Sequence, residues 1–450
     1  MKKVIFTSTF LLMITLSLHA QEVLTVGLGD EFYYGSYRNK VSEIEDFYQS
    51  IQQHGINISW GAAPPYWETG TLENPEALKF YKNVADIIHK NGIGVALGIK
   101  PRALYPKPSA EQWNAYQLAP ETGLREIVKE SWDLCNPEAF SELYKRYEKI
   151  MESLKPCELY YIDETILGAA PGENAYRMRI SAYWTSPTYS TIALENFRKY
   201  LQTNSYPNAD TAKFPVTTVK VAPSSKADMG LPAIPINEKN SDFLVADNDW
   251  PESHLWKLWY DWREEILTKL YSSEIELAEK IFSNNPNWQG TMASAPTFWF
   301  CRETGANPDK IAGIPKLKYL VAGYMNGHNL LKLKPSTGKY GKKLGGMIEL
   351  TRHGRIESQD TAATFESFKN QINNGAELIL FYPLANMNKH RNSEEQNKIG
   401  MNYRPSCEEL WGKCAKYLED KNLQVKLKPF NLNEENTSQF PLKGVFNWFF

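Results

Sequence analysis

Two adjacent carboxylates stand at the end of an apolar, aromatic run in this sequence. Residues 158–168 read ELYYIDETILG, so Asp163 and Glu164 close a strand-like segment. A buried carboxylate is costly unless it is paired or hydrogen-bonded, and strand interiors are depleted in Asp and Glu. Because side chains at a strand end can reach a ligand, this pair is a candidate for acid–base chemistry.

A third carboxylate occupies a comparable place later in the chain. In GGMIELTRHG, Glu349 follows the apolar residues Met347 and Ile348. Two carboxyl groups about 5 to 5.5 Å apart suit the retaining hydrolysis of a glycoside, one as protonated acid and the other as nucleophile. Structural alternatives stay open, because Asp163 can cap a turn, Glu164 can pair with an arginine, and Arg352 is a ready partner for Glu349.

The elements that must position these residues alternate between strands and helices. Eight apolar runs have strand character: 23–29, 56–63, 93–100, 158–164, 288–295, 319–325, 345–351 and 377–383. Most are separated by helix-like segments, so the pattern predicts an α/β fold, a (β/α)8 TIM barrel, with a doubly wound open sheet as the alternative. In a barrel the carboxylates above share the carboxyl-terminal mouth. The segment after the sixth run, NGHNLLKLKPSTGKYGKK, offers no convincing helix.

The predicted barrel domain, 21–421, contains one irregular stretch. Residues 168–253 are rich in Pro, Ser and Asn and read as a long insertion after strand 4, with one helix in YSTIALENFRKYLQ. A strong helix follows at 254–282. An insertion there would lie on the face where barrel enzymes keep their active sites. The tail, 422–450, has no assigned structure and is expected to pack over the side of the barrel.

The layout resembles a known clan of enzymes. An acid on strand four and a nucleophile on strand seven is the arrangement of the retaining (β/α)8-barrel glycoside hydrolases. WDLCNPEAF, AYWTSPTYSTIALENFRKYLQ and DWPESHLWKLWYDWREEI resemble segments of the family 42 β-galactosidases, and the resemblance spans roughly 23–420. It implies that Glu164 is the acid/base, Glu349 the nucleophile, and Tyr324 a hydrogen-bond donor to the nucleophile. A core tyrosine is the alternative for Tyr324.

One residue departs from the clan pattern. The clan has Asn before the acid, in contact with the sugar 2-hydroxyl, whereas this chain has Asp163, which implies altered specificity there. An Asp–Glu pair also resembles the family 20 β-hexosaminidases, in which the Asp orients a substrate N-acetyl group that acts as nucleophile. Glu349 would then be only a binding residue. A non-catalytic carbohydrate-binding protein on the same barrel is a further alternative.

Other residues in predicted loops have side chains suited to sugar binding. Trp60 and Trp67 after strand two, and Trp299 after strand five, are candidate stacking platforms. Arg102 after strand three and Asp30 after strand one are candidate polar contacts. Each has a structural alternative, because tryptophan is mostly a core residue and loop charges are mostly solvated.

Composition and missing motifs exclude several classes of protein. The formal net charge of −2 does not suit a nucleic-acid binder. No HExxH, phosphate-loop, dinucleotide or GxSxG motif occurs, so we expect no metal and no cofactor. The sugar, the linkage and the oligomeric state stay open.

The first twenty residues read as a cleavable secretory signal. Lys2 and Lys3 precede a short apolar stretch, and Ala20 ends a plausible cleavage site. The alternative is a transmembrane anchor. The expected destination is the periplasm or the exterior, with no membrane anchor after cleavage. Five cysteines are too few for a disulfide scaffold; a Cys135–Cys157 bond is conceivable, but free thiols are expected.

Overall fold

A computed structural model describes most of the chain. The described residues are 21–27, 32, 34–52, 54–62, 74–99, 113–119, 121–163, 165, 167, 189–222, 231–296, 304–323, 330–349, 361–382 and 405–430. The predicted signal sequence, 1–20, lies outside them. None of the described helices is long and apolar enough to cross a membrane.

The fold is a closed barrel of eight parallel strands. The twelve strands of the described chain are β1 Leu24–Gly27, β2 Ile58–Ser59, β3 Gly94–Leu97, β4 Asn114–Leu118, β5 Arg125–Trp132, β6 Leu159–Asp163, β7 Phe214–Val216, β8 Leu244–Ala246, β9 Thr291–Pro296, β10 Leu317–Gly323, β11 Lys343–Glu349 and β12 Ala376–Tyr382. The barrel runs β1, β2, β3, β6, β9, β10, β11, β12 and closes by pairing β12 with β1. Each of the eight predicted runs supplies one barrel strand, so the barrel is confirmed and the open sheet is excluded.

Helices occupy most of the connections between the strands. They are α1 Tyr34–Tyr37, α2 Val41–Gln52, α3 Pro75–Lys90, α4 Pro137–Ser153, α5 Thr191–Thr203, α6 His254–Phe282, α7 Pro308–Ala312, α8 Leu330–Tyr340, α9 Thr361–Asn373 and α10 Pro405–Asp420. Three of them, α3, α4 and α7, start with the same device. Asn74, Asn136 and Asn307 each accept hydrogen bonds from two backbone N–H groups of the first turn, and a proline follows each asparagine. These bonds satisfy backbone N–H groups that have no partner within the first turn of a helix. Proline is tolerated at this position because its missing N–H would make no helical hydrogen bond there.

Helix α8 corrects a sequence-based expectation. The segment after β10 offered no convincing helix, yet α8 runs through it with Pro335 inside. A proline there removes one backbone hydrogen bond. Leu330 and Leu333 are buried, and burial of one face supplies most of the stability of a helix in a protein. Tertiary packing therefore outweighs the local penalty.

The barrel strands are buried on both faces. One face points into the barrel, where the apolar cluster comprises Leu24, Val26, Ile58, Ala96, Leu159, Tyr161, Met292, Tyr319, Val321, Met347, Leu378 and Leu380. Alternate residues such as Tyr160, Ile162 and Ile348 belong instead to the outer core formed with the helices. This double coverage explains why the strands read as continuous apolar runs.

Two additional structures lie in the connections that leave the carboxyl ends of β3 and β6. Strands β4 and β5 form an antiparallel hairpin, which the sequence analysis did not predict. Within 168–253, the described part contains the predicted helix, α5, and an unpredicted parallel pair, β7 with β8. This part packs on the hairpin, where the Tyr189 N–H donates to the Tyr116 carbonyl at 2.9 Å. That the whole stretch is an insertion stays a prediction.

The carboxyl-terminal tail covers the opposite end of the barrel. The backbone of Val23, just before β1, hydrogen-bonds Leu423 and Val425 at 2.6 and 3.2 Å. Val425 and Leu427 pack against the interior cluster. The expectation that the tail covers the barrel's side is wrong for 422–430, because these residues close its amino-terminal end. Residues 431–450 lie outside the described part.

Three described cysteines, Cys135, Cys157 and Cys414, are buried free thiols. The conceivable Cys135–Cys157 disulfide is therefore absent. Burial raises the pKa of each thiol, which keeps them protonated and unreactive.

Candidate active site at the barrel mouth

Strand β6 ends in a hydrogen-bonded carboxylate on the inside of the barrel. Asp163 lies on the same face as Tyr161, whose ring belongs to the interior cluster. The Tyr161 hydroxyl donates to Asp163 Oδ1 at 2.6 Å. Asp163 is only 8% exposed, so this bond offsets part of the cost of burying its carboxyl group.

A second buried acid, on helix α6, contacts the outer face of the same strand. The Tyr160 hydroxyl donates to Glu274 Oε2 of α6 at 3.0 Å. Burial raises the pKa of Glu274 to about 8, and the Tyr160 hydroxyl, which donates to the carboxyl group, partly opposes this rise. Glu274 is therefore largely protonated at neutral pH. The Tyr160–Glu274 bond thus fastens β6 to α6, while the Tyr161–Asp163 bond lies within β6 itself.

Strand β11 carries the second predicted carboxylate to the same end of the barrel. Glu349 is its last residue and lies on the same face as Met347, inside the barrel. It pairs in register with Tyr382 of β12 and is 7% exposed. Since parallel strands end together, Glu349 and Asp163 open onto one mouth from β11 and β6, which are separated by β10 and β9.

Several predicted site residues lie outside the described part of the chain. Glu164 follows Asp163 directly and is one of them. The others are Asp30, Trp67, Arg102, Trp299 and Tyr324. Their roles stay predictions.

Trp60 is held inside the mouth by close packing. Its ring meets the Tyr161 ring edge-on, with centroids 5.1 Å apart. Gly98 makes room for it, because a Cβ at that position would lie 2.7 Å from Trp60 Nε1. This Nε1 is buried and has no hydrogen-bond partner in the described part of the chain. That the ring stacks on a sugar stays a prediction.

Ser294 is a polar residue at this site that the sequence analysis missed. It pairs in register with Asp163 across β6 and β9, and it lies on the same face as Met292, inside the barrel. Ser294 is 0% exposed, and its Oγ lacks a hydrogen-bond partner among the described residues. Because side chains alternate along a strand, an inward-facing Met292 would have predicted an inward-facing Ser294. A serine in the run TMASAP, however, does not by itself indicate a binding site.

The described site is a set of carboxylates, hydroxyls and an indole N–H. Among the residues that the structure describes, no group of three or more His, Cys, Asp or Glu side chains is placed to hold a metal ion. Buried carboxylates beside hydroxyl and indole groups can bind a hydroxyl-rich ligand and can exchange protons with it.

Comparisons with known proteins identify the fold. No protein-family model matches the chain, and no curated protein sequence is similar to it. Solved structures do match. The β-galactosidase of Marinomonas ef1 has a TM-score of 0.58 at 12% identity, over 89% of this chain and 61% of that chain. The catalytic domain of β-amylase from Paenibacillus polymyxa has a TM-score of 0.54 at 12% identity, over 89% of this chain and 99% of that chain.

A third similar structure is a catalytic mutant of a family 42 β-galactosidase from G. stearothermophilus, with a TM-score of 0.55 at 12% identity, over 91% of this chain and 58% of that chain. The common property is the (β/α)8 fold. The chain spans about three fifths of the two β-galactosidases, at 61% and 58% of their lengths. At such low identity the likeness concerns the fold, and fold alone does not determine function.

Proposed function

We propose that this protein is a glycoside hydrolase that cleaves β-linked saccharides, galactosides among them, by a retaining mechanism. The observation that carries the proposal is the position of Glu349. It is a buried carboxylate inside the barrel at the end of β11, and it shares the mouth with the end of β6, where Asp163 and Glu164 stand in sequence. Carboxylates from two strands at one barrel mouth suit hydrolysis at a sugar bound between them.

In the proposed reaction Glu349 is the nucleophile and Glu164 the acid/base. Glu349 attacks the anomeric carbon while Glu164 gives its proton to the departing oxygen, which leaves a glycosyl ester on Glu349. Glu164 then takes a proton from water, the water oxygen attacks the anomeric carbon, and the ester bond breaks. Both carboxyl groups return to their starting states.

The proposal includes export. The sequence 1–20 has the charge and apolar pattern of a cleavable secretory signal. We place the mature enzyme in the periplasm or outside the cell, where its carbohydrate substrate would be encountered.

A second candidate function is supported by the Tyr161–Asp163 hydrogen bond. An aspartate held by a neighbouring hydroxyl, directly before a glutamate, can orient the N-acetyl group of a substrate that serves as its own nucleophile. In that mechanism Glu164 is still the acid, whereas Glu349 only binds the sugar. The two mechanisms therefore differ in what they demand of Glu349.

Hydrolysis of a panel of aryl glycosides by the wild type, Glu164→Gln and Glu349→Gln tests both candidates. The panel contains β-galactoside, β-glucoside and β-N-acetylglucosaminide. Loss of several orders of magnitude in both variants on a plain β-glycoside supports the retaining pair. Activity only on the acetamido sugar, retained in Glu349→Gln, favours the substrate-assisted mechanism. Sugar binding without turnover in the wild type would indicate a carbohydrate-binding protein.

A further inference from the structure

We propose that Asp163, Ser294 and Trp60 form a polar floor beneath the mouth that binds two neighbouring hydroxyl groups of the sugar, with Ser294 as a specificity-determining residue. This proposal rests on the proposed function, since it concerns the sugar bound between the carboxylates. Its three members come from β6, β9 and the residue that follows β2.

Ser294 supplies the central observation. Its hydroxyl is fully buried inside the barrel and has no hydrogen-bond partner within the described chain. A buried polar group without a partner destabilises the folded protein. Such groups are uncommon, and a ligand that completes them is one explanation for keeping them.

A comparison with Ser59 shows what a structural serine looks like in this barrel. Ser59 is also 0% exposed and lies on β2. Its Oγ, however, is hydrogen-bonded to the Tyr48 hydroxyl at 2.9 Å. The two serines have equal burial, but only Ser59 is satisfied by the protein itself.

Trp60 supplies a donor beside Tyr161 of β6, the strand that pairs with the strand of Ser294. Its Nε1 is buried without a described partner, and its ring is fixed against Tyr161 and Gly98. An indole N–H can only donate, so it requires an acceptor oxygen on the ligand.

Asp163 supplies the complementary acceptor. A carboxylate oxygen accepts hydrogen bonds, and Asp163 Oδ1 already accepts one from the Tyr161 hydroxyl. The floor thus combines an acceptor, a donor and a hydroxyl that can do either. Two adjacent sugar hydroxyls, one donating to Asp163 and one shared by Ser294 and Trp60, match this set. The ligand class is an unsubstituted pyranose, with both hydroxyls free.

The test is a cross of protein variants with deoxygenated substrates. Wild type, Ser294→Ala and the control Ser59→Ala are assayed on the best aryl glycoside of the panel and on its monodeoxy forms. We expect one deoxy position to lower kcat/KM about tenfold in the wild type, and Ser294→Ala to lose about as much on the parent sugar. On the sugar that lacks this hydroxyl, the kcat/KM of Ser294→Ala should be less than twofold below its own value on the parent sugar.

Thermal stability provides the second readout. Ser294→Ala removes an unpartnered hydroxyl, so its Tm should equal or exceed that of the wild type. Ser59→Ala removes the hydrogen bond between Ser59 and the Tyr48 hydroxyl, so its Tm should fall while its KM stays unchanged. Trp60→Phe keeps a ring and removes the N–H, and we expect it to raise KM several-fold.

The proposal is overturned if Ser294→Ala equals the wild type on every sugar, or if both show the same deoxy profile. Cleavage restricted to acetamido sugars also contradicts it, because the floor is matched to free hydroxyls. If the wild type hydrolyses no glycoside, the proposed function fails first. Calorimetric titration of the same variants with galactose, glucose and N-acetylglucosamine then tests the polar floor separately. If Ser294→Ala binds every sugar as tightly as the wild type does, the polar floor is refuted.

Discussion

The hydroxyl of Tyr161 lies 2.6 Å from Oδ1 of Asp163, two residues further along the same strand. The preceding residue, Tyr160, points to the other face of the sheet, where its hydroxyl lies 3.0 Å from Oε2 of Glu274. Strand β6 therefore holds one carboxyl group at the barrel mouth and one behind it. The two tyrosines form a natural matched pair for separating function from stability.

Tyr161→Phe should impair activity, whereas Tyr160→Phe should impair stability. Loss of the Tyr161 hydroxyl removes a 2.6 Å hydrogen bond that orients the Asp163 carboxyl group, and misplaced groups at a reacting site cost on the order of 10- to 100-fold in rate. Loss of the Tyr160 hydroxyl leaves Glu274 short of a donor in the core, at a cost of about 1 to 3 kcal/mol. Glycoside kinetics and urea unfolding of both variants check this, and an equal loss of kcat/KM in the two would refute it.

Glu274→Gln should make the protein less sensitive to alkaline pH. The pKa of Glu274 is raised by burial from its ordinary value near 4.5 to about 8. The unfolded chain therefore releases this proton at lower pH than the folded protein does. Its stabilising contribution is full below pH 4.5 and is lost as the pH rises through about 8, with a slope of up to about 1.4 kcal/mol per pH unit.

The measurement is the free energy of unfolding from pH 4.5 to 9, with the exposed Glu276→Gln on the same helix as control. We expect the advantage of Glu274→Gln over the wild type to grow with pH, while Glu276→Gln tracks the wild type. Parallel curves for all three proteins would show that Glu274 ionises normally.

Gly98→Ala should disturb the mouth. The added Cβ would lie 2.7 Å from Trp60 Nε1 and 2.8 Å from the Tyr161 carbonyl oxygen, which belongs to the backbone and cannot move aside. Overpacking of this kind costs about 1 to 3 kcal/mol and would displace Trp60. We expect a lower Tm together with a higher KM.

Gly338→Ala is the control for that substitution. A Cβ there meets nothing within 4 Å, and the residue lies inside α8. Alanine in a helix interior should stabilise by about 0.5 to 1 kcal/mol. An unchanged Tm and KM for Gly98→Ala would show that Trp60 is not confined as described.

Asn287→Ala should loosen the tail that covers the amino-terminal end of the barrel. The Asn287 side chain donates to the Lys428 carbonyl at 2.9 Å and accepts from the Lys428 N–H at 2.7 Å. Leaving these backbone groups unpaired should lower the free energy of unfolding by about 1 to 3 kcal/mol. Cleavage of the tail by a protease should also become faster.

Asn374→Ala serves as the comparison, because that half-buried side chain donates to the Asn370 carbonyl one turn earlier, at 2.8 Å, and does not contact the tail in the described structure. It should change stability by less than about 0.5 kcal/mol. Equal protease resistance of the tail in both variants would contradict the fastening role of Asn287.

Local sequence patterns were sufficient for the barrel. Eight apolar runs of strand length, most separated by helical periodicity, admit few other topologies. Asn-Pro pairs such as Asn74–Pro75 mark helix starts by chemistry contained within one turn. Alternation along a strand puts Tyr161 and Asp163 on one face of β6, and in the structure their side chains are hydrogen-bonded.

The misses have a common cause. Helix α8 contains Pro335, and its local penalty was outweighed by burial that only the assembled barrel provides. The β4–β5 hairpin and the β7–β8 pair depend on partners whose pairing no local period specifies. Ser294 became a site residue only when β9 paired with β6.

By itself the sequence determined the class of fold, the order of its strands and which carboxylates end them, because strand length, helical period and side-chain alternation are local properties. The tertiary structure alone decided that Val23 pairs with the tail at Val425, that Trp60 lies against Tyr161, and that Ser294 lies beside Asp163. These contacts join segments distant in the chain. Their free energy comes from burial and hydrogen bonding in the closed barrel, which no single segment possesses.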